Sequence, residues 1–361
     1  MAIDWTKSMQ RTYEYYTVNP ETWLDETKID LVRSSSITRD LESISIESAS
    51  FDIDSMIGEA YIRTYLIATQ NGYSEKVPLG THLVQTPSLK SDGMVTSMTL
   101  DGYSVLTELS EKMVPIGFFI KGTKSGKNVY ALPQVYHNAY PYMRAPMIHV
   151  NSTEGPLLYS DFVAESSDTR LSFTNDLLSN VGYRFDISPL GYVSLTKVMS
   201  VDEMSPTFEY TDDEISILYP SITLNNDIYG IPNVVEVVYS NDGVFFKAEA
   251  RNTDYGSPVS IGKRGREIVK RITNPNLTVN PSADSVREYA KTLLEQYSKV
   301  QYTVSYSHAF HPDVKVGDCV LLNHPIFGDK TIKAYITYQQ IKCGLECEVQ
   351  EKAVYMEDLW G

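Results

Sequence analysis

A short loop rich in lysine and glycine has part of the pattern of a phosphate-binding loop. Residues 121–128 read Lys-Gly-Thr-Lys-Ser-Gly-Lys-Asn. A P-loop needs a longer interval before Gly-Lys and then Ser or Thr, because backbone N–H groups cradle the phosphates and the hydroxyl reaches magnesium. Here the interval is one residue short and Asn128 follows Lys127. The sequence therefore predicts an exposed loop that binds no cofactor.

Histidine and cysteine, the usual ligands of zinc, concentrate near the end of the chain. Zinc sites hold their ligands at short, recurring spacings. The spacings here match no compact zinc finger, and the last two cysteines fall at the edge of a predicted strand. We therefore predict no metal site and a structural role for these side chains, which are His308, His311, Cys319, His324, Cys343 and Cys347.

Carboxylates are abundant enough that paired acids for glycoside hydrolysis cannot be dismissed by counting. The sequence contains no nucleophile elbow, no HExxH motif and no Cys/His signature of a known catalytic family. Asp161 and Asp168 flank the start of a predicted helix, where helix capping accounts for them. The sequence thus predicts no enzyme and no catalytic or cofactor-binding residues.

Charge is the strongest compositional signal. The formal net charge is −15, which argues against a protein that grips nucleic-acid phosphates with a basic surface. Residues 198–246 hold nine carboxylates and no Lys or Arg. The acidic residues predicted to line a channel or an interface are Asp202, Glu203, Glu209, Asp212, Asp213 and Glu214.

A basic segment follows this acidic stretch. Patches of opposite sign on one chain suit complementary contacts between subunits, although solvated faces of unrelated loops are an equally weighted alternative. The residues predicted to make an inter-subunit contact are Lys263, Arg264, Arg266, Lys270 and Arg271.

The remaining composition is that of a β-rich soluble protein. The 361 residues suit two or three domains. The 26 tyrosines favour strands and contact surfaces. No apolar run reaches the ~20 residues that span a bilayer, and the N-terminus lacks a secretory signal. The three cysteines form no disulfide framework, so a reduced, cytoplasmic site of synthesis is expected.

Residues 1–120 are predicted to form a first β domain with an N-terminal extension. Residues 44–47 and 51–54 both alternate apolar and polar side chains, but with opposite parity. A bulge near residues 48–50 would restore the facing. An amphipathic helix bearing Leu106, Leu109 and Met113 is expected to end this block before Pro115.

Residues 121–204 are predicted to form a small α+β domain, and residues 205–361 a second β domain with a helical segment at about 256–299. In the former, a helix over about 170–181 precedes a hairpin over 183–195. In the latter, Asn241-Asp242-Gly243 predicts a hairpin turn. Ser285 and Glu288 form the pattern of a capping box for a helix whose buried stripe includes Val286 and Ala290.

Several segments of the chain, in their order and spacing, resemble the hub proteins of tailed phages and contractile injection systems. The resemblance covers about residues 28–361. The segments that carry it are residues 171–192, Ile231–Val237, Tyr255–Arg266, Ala290–Leu294 and Pro312–Leu322.

The resemblance implies two tail-tube-like β-barrel domains with a small α+β domain between them. It implies a homotrimeric hub that adapts the sixfold tail tube to the threefold central spike and forms part of the DNA channel. The implied partners are the tail tube or distal tail protein, the spike, surrounding baseplate proteins, and DNA in transit without specific binding. The implied location is the virion, after assembly in the host cytoplasm.

The chain ends directly after its last predicted strand, whereas larger hubs continue into a lysozyme, peptidase or spike. Those functions are therefore expected on separate proteins. Two alternatives remain open, a peripheral receptor- or carbohydrate-binding tail module that uses exposed tyrosines, and a glycan-cleaving tail enzyme.

Overall fold

The computed structural model describes residues 3–30, 32–54, 57–91, 96–123, 127–158, 161–213, 216–226, 230–241, 244–275, 281–298 and 300–357. The chain divides into two compact units. The first comprises residues 1–221 and 306–352, and the second comprises residues 222–305 and 353–361. The three consecutive domains predicted from the sequence stay a prediction.

Strands dominate the described part of the chain. The strands that precede residue 104 are β1 (Gln10–Val18), β2 (Asp25–Ile29), β3 (Val32–Asp40), β4 (Glu47–Ile53), β5 (Ala60–Gln70), β6 (Tyr73–Ser91) and β7 (Thr96–Tyr103). The strands of the middle region are β8 (Phe119–Ile120), β9 (Phe162–Val163), β10 (Tyr183–Ile187) and β11 (Val193–Lys197). The later strands are β12 (Phe208–Tyr210), β13 (Leu218–Asn226), β14 (Val234–Asn241), β15 (Val244–Arg251), β16 (Val269–Thr273), β17 (Val300–Ala309), β18 (Cys319–Leu322), β19 (Ile332–Cys343) and β20 (Glu348–Glu357).

Helices are fewer and mostly short. The α-helices of the described residues are α1 (Thr107–Ser110), α2 (Ala131–Ala139), α3 (Arg170–Asn180), α4 (Ile261–Arg264) and α5 (Ala283–Ser298). A mainly β chain with an α+β insertion, as predicted, is therefore confirmed.

Strand β19 joins the early and late strands of the first unit into one sheet. Its first residues pair with β18, where Cys319 lies opposite Tyr335. Its later residues pair with β3, where Ile341 lies opposite Ile37. From β3 the sheet continues through β4, β7, β6, β5 and β1 to β2. Hydrogen bonding thus ties strands separated by about three hundred positions.

The predicted bulge near residues 48–50 is wrong. Strand β4 pairs with β7 in continuous register from Ser48 to Ile53. The parity mismatch arises because residues 44–46 belong to a turn before the strand, in which Ile46 has a positive φ of 64°. A left-handed residue ends the alternation without inserting a residue into the ladder.

The amphipathic helix predicted at the end of the first block is much shorter than its pattern indicated. α1 covers one turn, with Leu109 fully buried. Leu106 is buried too, but Met113 is 57% exposed. Apolar spacing at i, i+3 and i+7 is therefore not sufficient here, because the chain leaves the helix before the third position.

The α+β insertion packs on one face of the first unit's sheet. Helix α3 begins at the Thr169 cap, whose side chain accepts from Ser172 N, and ends at Gly182 with φ 72°. The predicted hairpin is confirmed, since β10 and β11 pair in continuous register. Trp23 of the β1–β2 turn and Tyr61 of β5 share one apolar core with Phe173 of α3.

Helix α2 lies in the proline-rich stretch that carried no helix prediction. Its Pro133 stands in the first turn, where the missing N–H breaks no intrahelical hydrogen bond. Leu132 and Val135 are buried in the same core as α3. The helix ends at Ala139, ahead of Pro141.

The second unit contains a three-stranded sheet on which helix α5 packs. Strand β14 lies between β15, which is antiparallel to it, and β16, which is parallel. Val286, Ala290 and Leu294 of α5 pack against Val235 and Val237 of β14.

The cap of α5 differs from the prediction. The reciprocal bonds join Ser282 and Ser285, whose backbone N–H groups each donate to the other's hydroxyl oxygen. Glu288 instead pairs with Lys291, one turn further on. The predicted turn residues Asp242 and Gly243 lie outside the described residues, although Asn241 and Val244 pair on either side of them.

Candidate functional site

The predicted acidic segment lies in the first unit and is exposed. Asp202 and Glu203 occupy a single 3-10 turn, where the side chain of Glu203 accepts from Ser200 N. Glu209 is on β12, which pairs in parallel with β18. These carboxylates face solvent, as do Asp212 and Asp213. Glu214, the sixth candidate, lies outside the described residues.

Asp212 and Asp213 line an open cavity of about 460 Å³ at the end of β12. Asp329 lines the same cavity from the loop between β18 and β19, together with Asn323 and Gly328. The acidic segment therefore presents carboxylates around a shallow depression rather than in a flat row. This depression belongs wholly to the first unit.

The predicted basic segment lies in the second unit. Its five side chains do not form one cluster, because some are exposed and others contact groups of the same unit. Lys263 and Arg266 are exposed. Arg264 donates from Nη1 to the backbone oxygen of Ile231 at 3.1 Å. The ammonium of Lys270 lies 4.2 Å from the centre of the Tyr297 ring on α5. Arg271 pairs with Glu236 at 3.0 Å.

Glu236, which also falls within residues 198–246, binds two cations of its own unit. Its carboxylate accepts from Lys247 at 2.8 Å and from Arg271 at 3.0 Å across the three strands. These two cations hold the pKa of Glu236 below its ordinary value. Arg271 therefore stabilises the three-stranded sheet through its ion pair with Glu236. The sequence pattern did not reveal this role.

Buried amides and hydroxyls hold the loop that carries the basic segment. The side chain of Asn233 is fully buried, donates to Arg266 O at 3.0 Å and accepts from Ile268 N at 2.7 Å. Asn252, also fully buried, donates to Ser257 Oγ at 3.1 Å. Buried polar groups satisfied in this way fix a backbone conformation.

A second polar assembly fastens the α+β insertion to the sheet of the first unit. The indole N–H of Trp23 donates to the backbone oxygen of Leu190 at 2.8 Å. Arg63 Nη2 donates to the same oxygen at 2.9 Å, and its Nη1 donates to Asp25 Oδ1 at 2.7 Å. Thr81 donates to the neighbouring carbonyl of Pro189. The three contacts to the hairpin turn, from Trp23, Arg63 and Thr81, each span more than one hundred positions, which hid them from sequence patterns.

A chain of buried polar side chains crosses the first unit's sheet. Arg39 donates from Nε to Glu47 Oε1 at 2.6 Å and from Nη1 to Gln339 Oε1 at 3.1 Å. Gln339 in turn donates to Glu351 Oε1 at 2.8 Å. His308 Nε2 lies 3.3 Å from Glu351 Oε2. The network therefore links β3 and β4 with β17, β19 and β20.

Burial and charge set the protonation of this network. Burial raises the pKa of Glu47, and the Arg39 charge opposes that rise. Burial also acts to raise the pKa of Glu351, but the neighbouring His308 and the donated hydrogen bonds bring it below its ordinary value. His82 lies beside this network, with its Nε2 4.0 Å from Glu47 Oε2. Burial and the Arg39 charge lower the pKa of His82 to about 3, so that this imidazole is neutral.

The whole arrangement is similar to solved tail proteins. A tail protein from Neisseria meningitidis matches with a TM-score of 0.69 and 12% identity, over 97% of this chain and 97% of that one. The 43 kDa tail protein of prophage MuSo2 from Shewanella oneidensis matches with a TM-score of 0.67 and 11% identity, over 96% and 100%. Prophage tail protein gp18 from Listeria monocytogenes matches with a TM-score of 0.54 and 10% identity, over 97% and 95%. The chain has the fold of a phage tail protein.

The similarity of fold has no counterpart in the sequence comparisons. No family model matches the sequence, and no curated protein matches it. Identities of 10–12% to the solved tail proteins explain why, since the fold persists where residue matches do not.

In this tail-protein fold the histidines and cysteines considered above serve as packing and hydrogen-bonding residues. His308 and the three cysteines are buried, and all three cysteines are free thiols. Burial raises the pKa of Cys343 to about 12 and that of Cys347 to about 11, which suppresses thiolate chemistry. Among the described residues, no group of three or more His, Cys, Asp or Glu side chains is placed to hold a metal.

The predicted capping role holds for Asp168 in part and fails for Asp161. Asp168 accepts from Ser172 Oγ at 3.0 Å and from Glu165 N at 2.7 Å, beside the Thr169 cap of α3. Asp161 instead accepts from Gly122 N at 2.8 Å, next to the β8–β9 pair. The phosphate-loop-like residues 124–126 lie outside the described residues. No helix in the described part of the tail-protein fold is long and apolar enough to cross a membrane.

Proposed function

We propose that the chain is a structural protein of a phage-type tail, acting as the homotrimeric hub at the tail end. The observation that carries the proposal is the match of the strands and the α+β insertion to a solved tail protein, over 97% of this chain and 97% of that one. A match of that extent favours a role in which the whole fold, rather than one pocket, is the functional part.

As a hub, three copies adapt the sixfold tail tube to the threefold spike and surround the path of the DNA. The tail tube or distal tail protein, the spike and the surrounding baseplate proteins are the partners in this account. The exposed carboxylates Asp202 and Glu203 give the first unit an anionic surface. Facing a channel, such a surface repels DNA phosphates and lets the genome slide without specific binding.

The protein is non-enzymatic in this proposal and works in the virion after assembly in the host cytoplasm. Its three buried thiols fit synthesis in a reducing compartment. The buried network contains Glu47, His308 and Glu351, which are residue types that also occur in catalytic sites. Its members are 3%, 1% and 1% exposed, so substrates have no access to them.

A receptor- or carbohydrate-binding tail module is the second candidate. The observation in its favour is the set of exposed aromatic rings, among them Tyr140 at 46% and Tyr255 at 78% exposure. Such rings bind sugars or peptides by stacking and hydrogen bonding. The hub is favoured because rings of this kind are also frequent at protein–protein interfaces.

Immunogold labelling of the tail-bearing particles that contain the protein tests the proposal. We expect one ring of label at the tail end, where tube and spike meet. Label on peripheral fibres would favour the receptor-binding module and contradict the hub. Release of reducing sugars from purified cell wall or capsule by the isolated chain would contradict the non-enzymatic role.

A further inference from the structure

We propose that Tyr255, Lys263 and Arg266 form a contact surface, the basic turn, that binds the exposed carboxylates Glu209 and Asp212 of a second copy of this chain. The inference deepens the proposed hub, since it assumes self-assembly and names the residues that meet. It narrows the five basic residues predicted from sequence to two and adds a tyrosine.

Two of the five predicted cations remain available for a partner. Arg264, Lys270 and Arg271 each contact a group of their own unit, as described above. Among the described residues, Lys263 and Arg266 form no ion pair, and both are exposed. An arginine and a lysine without internal partners can each bind a carboxylate of another chain without losing a bond.

Hydrogen bonds within the second unit hold the backbone of the basic turn in place. Asn233 fixes the backbone that follows the Arg266 side chain, through Arg266 O and Ile268 N. Ser260 caps the single turn of α4 by accepting from Lys263 N, and Gly265 ends it at φ 63°. Because the backbone is held before binding, little conformational entropy is lost when a partner docks.

Tyr255 extends the same surface. Its side chain is 78% exposed, although it lies against α4. A Cβ added at Gly262 would come within 3.2 Å of the Tyr255 ring, so the ring rests on the backbone that precedes Lys263. Tyrosine and arginine are both enriched among interface hot spots.

Charge decides the kind of partner. The chain carries a net charge of −15, which opposes binding of this small basic surface to nucleic acid. An acidic protein surface is favoured instead, and the exposed carboxylates of residues 202–213 are such a surface on this chain. Of these, Glu209 on β12 and Asp212 two residues beyond its end are the pair opposite the two cations in this proposal.

The chain offers a matched set of charge variants for the test. Lys263→Glu/Arg266→Glu reverses the basic turn, and Glu209→Lys/Asp212→Lys reverses its partner. The quadruple variant restores complementarity with the signs exchanged. Lys121→Glu/Lys127→Glu changes the net charge equally at two exposed lysines of the other unit. Far-UV circular dichroism establishes that each variant is folded.

Sedimentation velocity at low salt measures the association. We expect wild type and the Lys121/Lys127 control to form trimers. Each double reversal should weaken association by at least about tenfold, the quadruple variant should regain most of it, and Tyr255→Ser should weaken it comparably.

Two outcomes separate this inference from the hub itself. A trimer of undiminished affinity in Lys263→Glu/Arg266→Glu would overturn the contact and leave the hub intact. A double reversal that the quadruple variant fails to rescue would overturn Glu209 and Asp212 as the partners. A wild-type chain that stays monomeric at every concentration would overturn self-assembly and the contact with it.

Discussion

Arg63 donates a hydrogen bond from Nη2 to the backbone oxygen of Leu190, 2.9 Å away and 127 positions later in the chain. The bond joins a sheet strand of the first unit to the hairpin turn of the α+β insertion. Trp23 shares the same acceptor, and Asp25 neutralises the guanidinium. The insertion is therefore held on the sheet by a charged anchor as well as by apolar packing.

Arg63→Met tests this anchor. The substitution keeps the apolar stem but removes the guanidinium partner of Asp25 and leaves the Leu190 carbonyl with the Trp23 indole as its donor. We expect the free energy of unfolding to fall by about 2–3 kcal/mol, below the range for fully buried pairs because Asp25 is partly exposed. Urea denaturation provides the measurement. Lys28→Met, which breaks the exposed pair with Glu14, is the control and should cost less than about 1 kcal/mol.

Gly191 lies in the hairpin turn that Trp23 and Arg63 contact, and both its backbone conformation and its lack of a side chain matter there. It has φ 79°, and a Cβ there would lie 2.8 Å from Cζ2 of Trp23. Gly182 has φ 72° with nothing within 4 Å of the added atom. Gly182→Ala thus measures backbone strain alone, at about 1 kcal/mol. Gly191→Ala should cost about 1–3 kcal/mol more, because it also crowds the ring. Equal losses in thermal denaturation would show that the close approach has no cost.

The buried ion pair of Arg39 and Glu47 should contribute less to the free energy of unfolding than the loss of one partner alone would suggest. Arg39→Met leaves an unpaired buried carboxylate and should cost about 3–5 kcal/mol. The double variant Arg39→Met/Glu47→Leu removes both charges, and we expect it to regain most of that loss. A double-mutant cycle in urea measures the coupling. If the double variant were less stable than Arg39→Met alone, the desolvation argument would be wrong.

Acid should weaken the first unit through Glu351. The folded-state pKa of Glu351 lies below its ordinary value of 4.5. The carboxylate therefore stabilises the fold above that ordinary value, and the contribution is lost as pH falls through the folded value. Glu351→Gln should flatten the pH dependence of unfolding in that acidic window. Urea midpoints at pH 7, 4 and 3 for both proteins provide the check. An unchanged slope would show that Glu351 does not titrate with folding.

Local patterns predicted much of the fold. The period of 3.6 residues located α3 and the buried stripe of α5, and alternation located the β10–β11 hairpin. These elements bury one face against a neighbour, which is the property that periodicity measures. Alternation failed at residues 44–46, because the positive φ of Ile46 makes a turn from a strand-like pattern.

Local sequence patterns did not predict which residues pair across long sequence separations. Gln339 accepts from Arg39 across 300 positions, and Leu190 accepts from Arg63 across 127. No spacing along the chain identifies such partners. The basic segment shows the same limit, since Lys270 and Arg271 looked equivalent to Lys263 until Tyr297 and Glu236 proved to be their neighbours.

Direct imaging of the purified chain tests the central claim most simply. Negative-stain class averages at a concentration where sedimentation reports the assembled species should show a threefold ring with a central pore. That result is expected of a hub that joins a tail tube to a spike. A field of compact monomers, or of closed dimers without a pore, would contradict the account.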